Sequence, residues 1–188
     1  MKFTKTLLTT MLFSFSVLGT AQLAYAISAQ EKQYQQGLEA ANKNDFATAF
    51  KLWLPLAEQG NAVAQNSLGV MYEKGQGIKQ DYAEAVKWYL QAAEQGNAVA
   101  QNNLGLLYDS GKGVKKDYAE AAKWYLQAAE QGYVVAQANL ASVGARYEKG
   151  IGVRQDLQKA KEYYGLACDS GWQEGCDNYR KLNEAGIR

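Results

Sequence analysis

Residues 81–96 read DYAEAVKWYLQAAEQG, and residues 117–132 read DYAEAAKWYLQAAEQG. The two segments differ only at Val86 and Ala122, and they lie 36 residues apart. Repeats with a period in this range are typical of stacked helical arrays, because a single unit cannot bury its apolar face alone. The two segments therefore predict a solenoid whose function depends on a surface shared by several repeats.

Each repeat contains two predicted helices, which we call helix A and helix B. In residues 98–109 the apolar positions Ala100, Leu104 and Tyr108 lie about one helical turn apart and predict helix A. Residues 116–130 show the same spacing and predict helix B. The sequence thus alternates between two amphipathic helices within one repeat.

The whole pattern predicts an all-α fold, a right-handed α-solenoid of stacked antiparallel helix pairs with about four repeats and a C-terminal cap helix. The predicted repeats cover residues 30–60, 61–96, 97–132 and 133–171. Residues 172–188 form the predicted cap, because a terminal unit of a solenoid needs an outer face that water can wet. Together, residues 27–188 are expected to form a single domain.

Aromatic side chains in helix B have two interpretations. Trp88 and Trp124 stand among alanines at helical spacing, which favours packing in the core. The alternative is a platform on which a ligand stacks. Because the aromatic positions recur in register with the repeat, we expect core packing.

Paired glycines follow each regular helix A, and Gly132 follows a helix B. The pairs are Gly75-x-Gly77, Gly111-x-Gly113 and Gly150-x-Gly152. A phosphate-binding glycine pair follows a strand, and no strand is predicted in this chain. Glycine also adopts the left-handed backbone that ends a helix and turns the chain, so we expect a structural role at all these positions.

Pro55 lies inside the predicted helix B of the first repeat, residues 45–58. An interior proline removes one backbone hydrogen bond and costs about 3 kcal/mol or more. We therefore expect a kink in this helix or an early end to it.

The fourth repeat contains three extra residues. Tyr108 and Tyr147 are 39 residues apart, and the extra residues fall within residues 137–143. Three residues rotate a helix by about 300°, so the apolar stripes on either side of the insertion are out of phase. Two outcomes are expected: a bulge within helix A, or a helix start that is reset near Gly132.

The first 26 residues have the three parts of a secretory signal peptide. Lys2 and Lys5 precede an apolar run over residues 7–18, and Ala24-Tyr25-Ala26 is a small-x-small cleavage signal. A membrane anchor fits less well, because the run is shorter than the roughly 20 residues that span a bilayer. We expect cleavage after Ala26 and a periplasmic or secreted protein.

Composition narrows the functional classes. Without Lys2 and Lys5, the 20 basic and 19 acidic residues of the chain become 18 and 19, a net charge of −1. No nucleic-acid partner is expected, because such a partner needs a concentrated basic face. The chain contains no histidine, which excludes Ser–His and Cys–His catalytic pairs and nearly all zinc sites. We expect no metal and no cofactor.

The repeated unit resembles the Sel1-like repeat, a longer-looped relative of the tetratricopeptide repeat. Its consensus positions stand here as Leu68-Gly69, Tyr72, Gly75, Gly77-Ile78, Asp81, Ala85, Trp88-Tyr89, Ala92-Ala93 and Gly96. They recur almost unchanged in residues 104–132, and again in residues 143–171 with Tyr163-Tyr164 in place of Trp-Tyr. The resemblance implies an adaptor that binds proteins or peptides, of a kind that bacteria often export.

The same resemblance implies a binding face, because the A helices of the tetratricopeptide array line its concave side. Carried over position by position, the candidate residues are Val63, Asn66, Val70, Glu73, Lys74, Val99, Asn102, Leu106, Asp109, Ser110, Ala145, Glu148 and Lys149. Asparagines on successive helices suit a peptide backbone, because each amide both donates and accepts hydrogen bonds. The alternative is a solvated face without a ligand.

Cys168 and Cys176 are the only cysteines, and they flank the predicted turn between the last helix B and the cap. Facing positions at the ends of an antiparallel helix pair can bring two Cα atoms within disulfide range, and export favours pairing. The spacing also resembles the within-repeat disulfide of secreted, cysteine-rich Sel1-like proteins. A free-thiol or redox role fits less well, because there is no Cys-x-x-Cys.

The predicted function is that of an exported, non-enzymatic module that binds a protein or peptide, with a monomer favoured and no integral membrane segment after cleavage. One alternative is β-lactam binding or weak hydrolysis, as in cysteine-rich members. The chain lacks the motifs of the serine enzymes that act on β-lactams, since Lys-Thr-Gly is absent and no serine of the mature chain has Lys three residues later. Another alternative is a secreted factor that acts on a host or neighbouring cell.

Overall fold

A computed structural model describes residues 28–187, and in this range the chain forms helices and turns without a strand. The helices are α1 (residues 28–42), α2 (Phe46–Glu58), α3 (Ala62–Lys74), α4 (Tyr82–Glu94), α5 (Ala98–Ser110), α6 (Tyr118–Glu130), α7 (Val134–Lys149), α8 (Leu157–Asp169) and α9 (Gln173–Glu184). Consecutive helices pack against each other along the chain. The fold is therefore the predicted all-α repeat solenoid. The predicted signal peptide lies outside the described residues.

Side-chain caps fix where the helices begin. The Asn97 side chain accepts a hydrogen bond from the backbone N–H of Ala100 at the start of α5. Asp117 accepts from two backbone N–H groups at the start of α6, so this helix begins at Tyr118 rather than at the predicted residue 116. Each cap satisfies N–H groups that have no partner within the helix. The Asn and Asp at these positions therefore mark helix A and helix B, respectively.

A glycine of helix A and an aromatic residue of helix B make a close contact within each repeat. A Cβ atom built on Gly105 would lie 2.6 Å from the Cε1 atom of Tyr125, which is 2% exposed. The equivalent pairs are Gly37 with Trp53, Gly69 with Tyr89, and Gly144 with Tyr164. Trp88 and Trp124 are only partly buried, and each packs against an apolar cluster formed by helix B of the preceding repeat and helix A of its own. Tyr89 and Tyr125 are buried in clusters that also include helix A of the next repeat.

The second glycine of the Gly-x-Gly loop touches the preceding repeat. A Cβ on Gly77 would lie 2.7 Å from the carbonyl carbon of Phe46, the first residue of α2. A Cβ on Gly113 would meet the backbone at the start of α4, 2.8 Å from the nitrogen of Ala83. The loop therefore needs glycine both for its positive φ and for this close approach. The positive φ and the close approach are both structural requirements, as predicted for the glycine pair.

A glutamine network that the sequence analysis missed links successive repeats. The Gln101 side chain is 4% exposed, and its amide donates to the carbonyl of Ala93, 3.1 Å away. Its side-chain oxygen accepts from Gln131 at 2.8 Å, and its amide also approaches Gln127. Gln65 makes the equivalent contacts with Ala57, Gln91 and Gln95. The signal in the sequence was the recurrence of these glutamines at the repeat period.

The three extra residues lengthen helix A of the fourth repeat without interrupting it. Helix α7 has 16 residues, whereas α5 has 13, and both begin two residues after a glycine. Neither the expected bulge nor the expected reset start occurs. The helix instead buries both stripes, which include Ala136 before the insertion and Tyr147 after it. Gln137 then donates to the Ser170 carbonyl of its own repeat, so the glutamine network is not repeated here.

Pro55 does not end its helix early, so that expected outcome is wrong. Helix α2 continues to Glu58 and has the same 13 residues as α4 and α6. The carbonyl of Leu52, one turn before the proline, accepts a hydrogen bond from the Gln33 side chain of α1 at 2.8 Å. The proline removes one N–H donor, but the turn that follows it keeps its backbone hydrogen bonds, such as that from Gln59 N–H to the Pro55 carbonyl at 3.2 Å.

Helix α9 caps the array and is joined covalently to α8. The Cα atoms of Cys168 and Cys176 are 4.5 Å apart in a disulfide, which confirms the predicted pairing. Gly175 packs against the end of α8, and Leu182 lies in the core of the last repeat. The other faces of α9 are polar and suit a terminal position. Among residues 28–187, no helix is both long and apolar enough to cross a bilayer.

Replacing both Cys168 and Cys176 with serine should lower the free energy of unfolding by roughly 2.5 kcal/mol, because the bridge restricts the unfolded chain. Urea unfolding followed by circular dichroism measures this change. Adding a reductant should bring the wild-type midpoint down to that of the variant and leave the variant unaffected. Equal midpoints for the oxidised wild type and the variant would contradict a stabilising bridge.

Substituting alanine for Gly113 should destabilise the fold more than substituting alanine for Gly96. Both glycines have positive φ, +71° and +86°, so each substitution strains the backbone by about 1–2 kcal/mol. Only Gly113 also faces a backbone, whereas nothing lies within 4 Å of a Cβ on Gly96. We expect an additional loss of about 1–3 kcal/mol in Gly113→Ala, measured by urea unfolding. Equal losses would show that the loop does not need this close approach.

Candidate functional site

Helices α3, α5 and α7 each present one side that does not pack against a helix B, and we call this surface the A-helix face. Val63, Val99 and Val135 occupy the second position of the three helices and are 47%, 40% and 51% exposed. We call these three residues the valine row. The sequence analysis included the first two and omitted Val135, because the insertion obscured its register.

A second row of apolar residues lies further along the same helices. Leu106 is 41% exposed, and the equivalent positions, Val70 and Ala145, are partly buried. In α3 and α5 this row follows the valine row by seven residues, which is two helical turns, so the two rows share one side of each helix. An exposed apolar surface that extends over several repeats indicates an interaction site.

Charge is confined to one end of the A-helix face. Residues 62–72, 98–108 and 134–145 contain no charged side chain. The charges stand in the last turns of the three helices, which we call the charged rim: Glu73, Lys74, Asp109, Arg146, Glu148 and Lys149. The face therefore consists of a neutral floor and a charged rim, a division that resembles the apolar centre and polar edge of protein interfaces.

The asparagines predicted to hold a peptide backbone instead hold the A helices to each other. Asn102 is only 3% exposed, and its side-chain oxygen accepts from the Asn139 amide at 2.9 Å. The oxygen of Asn66 accepts from Asn103 in the same way at 3.3 Å. Asn102 is therefore a contact between repeats and is not accessible to a ligand. Sequence spacing could not show this, because Asn102 and Asn103 are adjacent in the chain and each bonds to a different neighbouring helix.

Two carboxylates of the rim anchor the buried tyrosines. The hydroxyl groups of Tyr89 and Tyr164 donate to Glu73 and Glu148, each at 2.6 Å. Burial, together with the hydrogen bond to the carboxylate, raises the pKa of both tyrosines far above its ordinary value. The tyrosines therefore stay protonated as donors, and the two glutamates are fixed in place by their own repeats.

The third carboxylate of the rim has a different partner. Asp109 lies 2.9 Å from the guanidinium of Arg146, which comes from the lengthened helix α7. The same guanidinium lies over the Tyr118 ring, 4.8 Å from its centre. Arg146 was not among the predicted residues, because its position corresponds to Met71 and Leu107, which are buried in the preceding repeats. This ion pair joins the rim of the third repeat to that of the fourth.

Two small cavities border the A-helix face. One, of about 130 Å³, lies between the first repeat and α3 and is lined in part by Asn66 and Val70. The other, of about 150 Å³, lies between α7 and α9 and is lined in part by Ala145 and Trp172. Both are smaller than the usual pocket for a free ligand but open enough to receive a single side chain.

The remaining predicted residues lie on the rim. Lys74, Ser110 and Lys149 are exposed and close the last turns of α3, α5 and α7. A larger cavity, of about 650 Å³, lies near the start of α8 and contains none of the predicted binding residues. Within residues 28–187, no group of three or more carboxylate or cysteine side chains is arranged to hold a metal ion.

Asn102→Ala should lower the free energy of unfolding by about 1–3 kcal/mol, because it removes the buried Asn102 side chain and leaves the partly buried Asn139 amide without its acceptor. Val99→Ala, on the exposed side of the same helix, should change it by about 0.5 kcal/mol or less. Urea unfolding of the two variants makes the comparison. Equal stability of Asn102→Ala and wild type would return Asn102 to the list of ligand-contact candidates.

Comparison with known proteins gives a consistent result. A family model described as Sel1 repeat matches residues 20–61, 62–97, 98–133 and 134–172. A Sel1 repeat protein from Oxalobacter formigenes is 34% identical over 82% of this chain, with a TM-score of 0.62. Curated proteins give no match.

A second solved structure is that of c5321, described as a protective antigen present in uropathogenic Escherichia coli strains and displaying an SLR fold. It is 36% identical over 88% of this chain, with a TM-score of 0.64. The aligned region spans 62% of the Oxalobacter chain and 36% of the Escherichia chain, so both relatives extend beyond it.

Proposed function

This chain belongs to the Sel1 repeat family, whose repeats commonly mediate protein–protein interactions, and from that premise we propose that it is an exported, non-enzymatic adaptor that binds a protein or peptide through its A-helix face. The observation that carries the proposal is the apolar, uncharged floor that continues over three repeats. The three valines are exposed and stand outside the apolar clusters of the core. A partner that covers them would remove apolar surface from water.

Export is supported by the disulfide at the cap. Bridges of this kind form and persist in oxidising compartments such as the periplasm and the extracellular space. The predicted signal peptide of residues 1–26 gives a route to either compartment. The non-enzymatic part of the proposal rests on the family, whose fold is typically a scaffold, and on a sequence without histidine.

A triple variant, Val63→Asp, Val99→Asp and Val135→Asp, should lose most of the partner, because each buried carboxylate at an interface would lack a counter-charge. Quantitative mass spectrometry of proteins that copurify with the exported full chain measures the loss, for which we expect at least about tenfold. Ile151→Asp is the matched control, since Ile151 is 52% exposed but lies in a loop away from the valine row. Unfolding midpoints confirm that each variant is folded.

Retention of the same proteins by the triple variant would show that the valine row is not the binding surface. Loss of those proteins from both the triple variant and Ile151→Asp would also contradict the proposal, because the effect would then not be specific to the A-helix face.

A further inference from the structure

We infer that the partner binds the A-helix face as an amphipathic α-helix rather than as an extended peptide, an inference that rests on the proposed function. The choice between the two depends on where the backbone hydrogen-bond groups of the partner would find their own partners. It also depends on the distance between successive repeats and on the distribution of charge over the face.

An extended peptide needs donors and acceptors along its binding surface, because its own N–H and C=O groups lose water when it docks. The side-chain oxygen of Asn66 is already occupied by Asn103, and that of Asn102 by Asn139. Asn102 is also buried beneath the surface. The two asparagine oxygens predicted to face an extended backbone therefore each accept a hydrogen bond within the solenoid itself.

An α-helix satisfies its backbone hydrogen bonds internally and needs only apolar contact from the surface. The A-helix face offers this contact through Val63, Val99 and Val135, which are exposed and are surrounded by uncharged positions. A helix with one apolar stripe thus matches the floor, and its polar groups stay in water. The surface chemistry favours the helix over the extended chain.

Charge complementarity fixes which side chains such a helix needs. Its stripe carries no charge, because the floor of residues 62–72, 98–108 and 134–145 has none with which to pair. Its flank towards the rim is polar, because the exposed Lys74 and Lys149 stand there beside the carboxylates of Glu73 and Glu148. We therefore assign charged side chains of both signs to that flank.

Repeat spacing predicts the sequence period of the partner. Packed helices lie about 8–10 Å apart, and the Asn66–Asn103 hydrogen bond shows that α3 and α5 are direct neighbours. Seven residues of an α-helix rise about 10.5 Å, slightly more than this spacing, and the position i+7 is the one on the same side of the helix that comes nearest to the next valine. In an extended chain about three residues cover the same distance. The partner helix therefore has apolar residues at i, i+7 and i+14.

The two small cavities at the ends of the A-helix face provide further contacts for a docked helix. Val70 borders the cavity next to α3, and Ala145 borders the cavity next to α9. Each can receive one apolar side chain from an end of a docked helix. Two anchors around a neutral centre are the arrangement in which a few buried side chains supply most of the binding energy.

Photo-crosslinking amino acids placed singly at positions 63, 99 and 135 of the full-length exported chain test the inference. The partner residues captured from successive positions are identified by mass spectrometry. We expect captured residues that differ by about seven from one position to the next. A difference of about three would overturn the helical inference while leaving the proposed function in place.

The same crosslinker at position 151 is the control. If no position of the valine row captures more than position 151 does, both the proposed function and the inference drawn from it are contradicted. A period of seven at the valine row, with nothing captured at position 151, supports both.

A second measurement uses the captured segment as a synthetic peptide. Its helical content, followed by circular dichroism, should rise when the purified full chain is added. A proline in the middle of its solvent-facing side should weaken binding at least about tenfold, whereas alanine at the same place should not, because only proline breaks the helix. Equal binding of the proline and alanine peptides would overturn the helical inference.

Discussion

The contact between a glycine of helix A and an aromatic ring of helix B sets the geometry on which the rest of the solenoid depends. Gly105 admits the ring of Tyr125, and Gly69 admits that of Tyr89. A side chain at the glycine would push the two helices apart, since interiors are packed without spare room. This close approach leaves another side of helix A free, and the valine row lies there. The packing of each repeat therefore determines which residues remain available for binding.

Hydrogen bonds between polar side chains then join the repeats. The glutamine contacts recur where the array is regular, and different contacts replace them in the fourth repeat. Gln101 ties helix B of one repeat to helix B of the next, and Asn102 ties neighbouring A helices. In the fourth repeat the longer α7 directs Gln137 to its own repeat, and Arg146 reaches Asp109 instead. An ion pair and a longer buried stripe replace the glutamine contact at this junction.

Sequence periodicity predicted the helix pairs, the structural glycines and the Cys168–Cys176 bridge, because each depends on neighbours that are close in sequence or on a repeated pattern. It could not assign Asn102, because a small rotation of helix A decides whether an amide faces solvent or the next helix. Nor could it find Arg146, whose position corresponds to the buried Met71 and Leu107 of the preceding repeats. Exposed positions of the site, such as Val99, were predictable because they are simply the helical positions that the core does not use.

The polar contacts between repeats also limit what the A-helix face can recognise. Asn66 and Asn102 already use their side-chain oxygens, and Glu73 and Glu148 hold tyrosine hydroxyl groups. Groups that stabilise the solenoid in this way cannot be turned towards a ligand without leaving a buried partner unsatisfied. What the face has to offer is apolar contact over its floor and charge at its rim. A partner that brings its own backbone hydrogen bonds is the one that such a surface can accept.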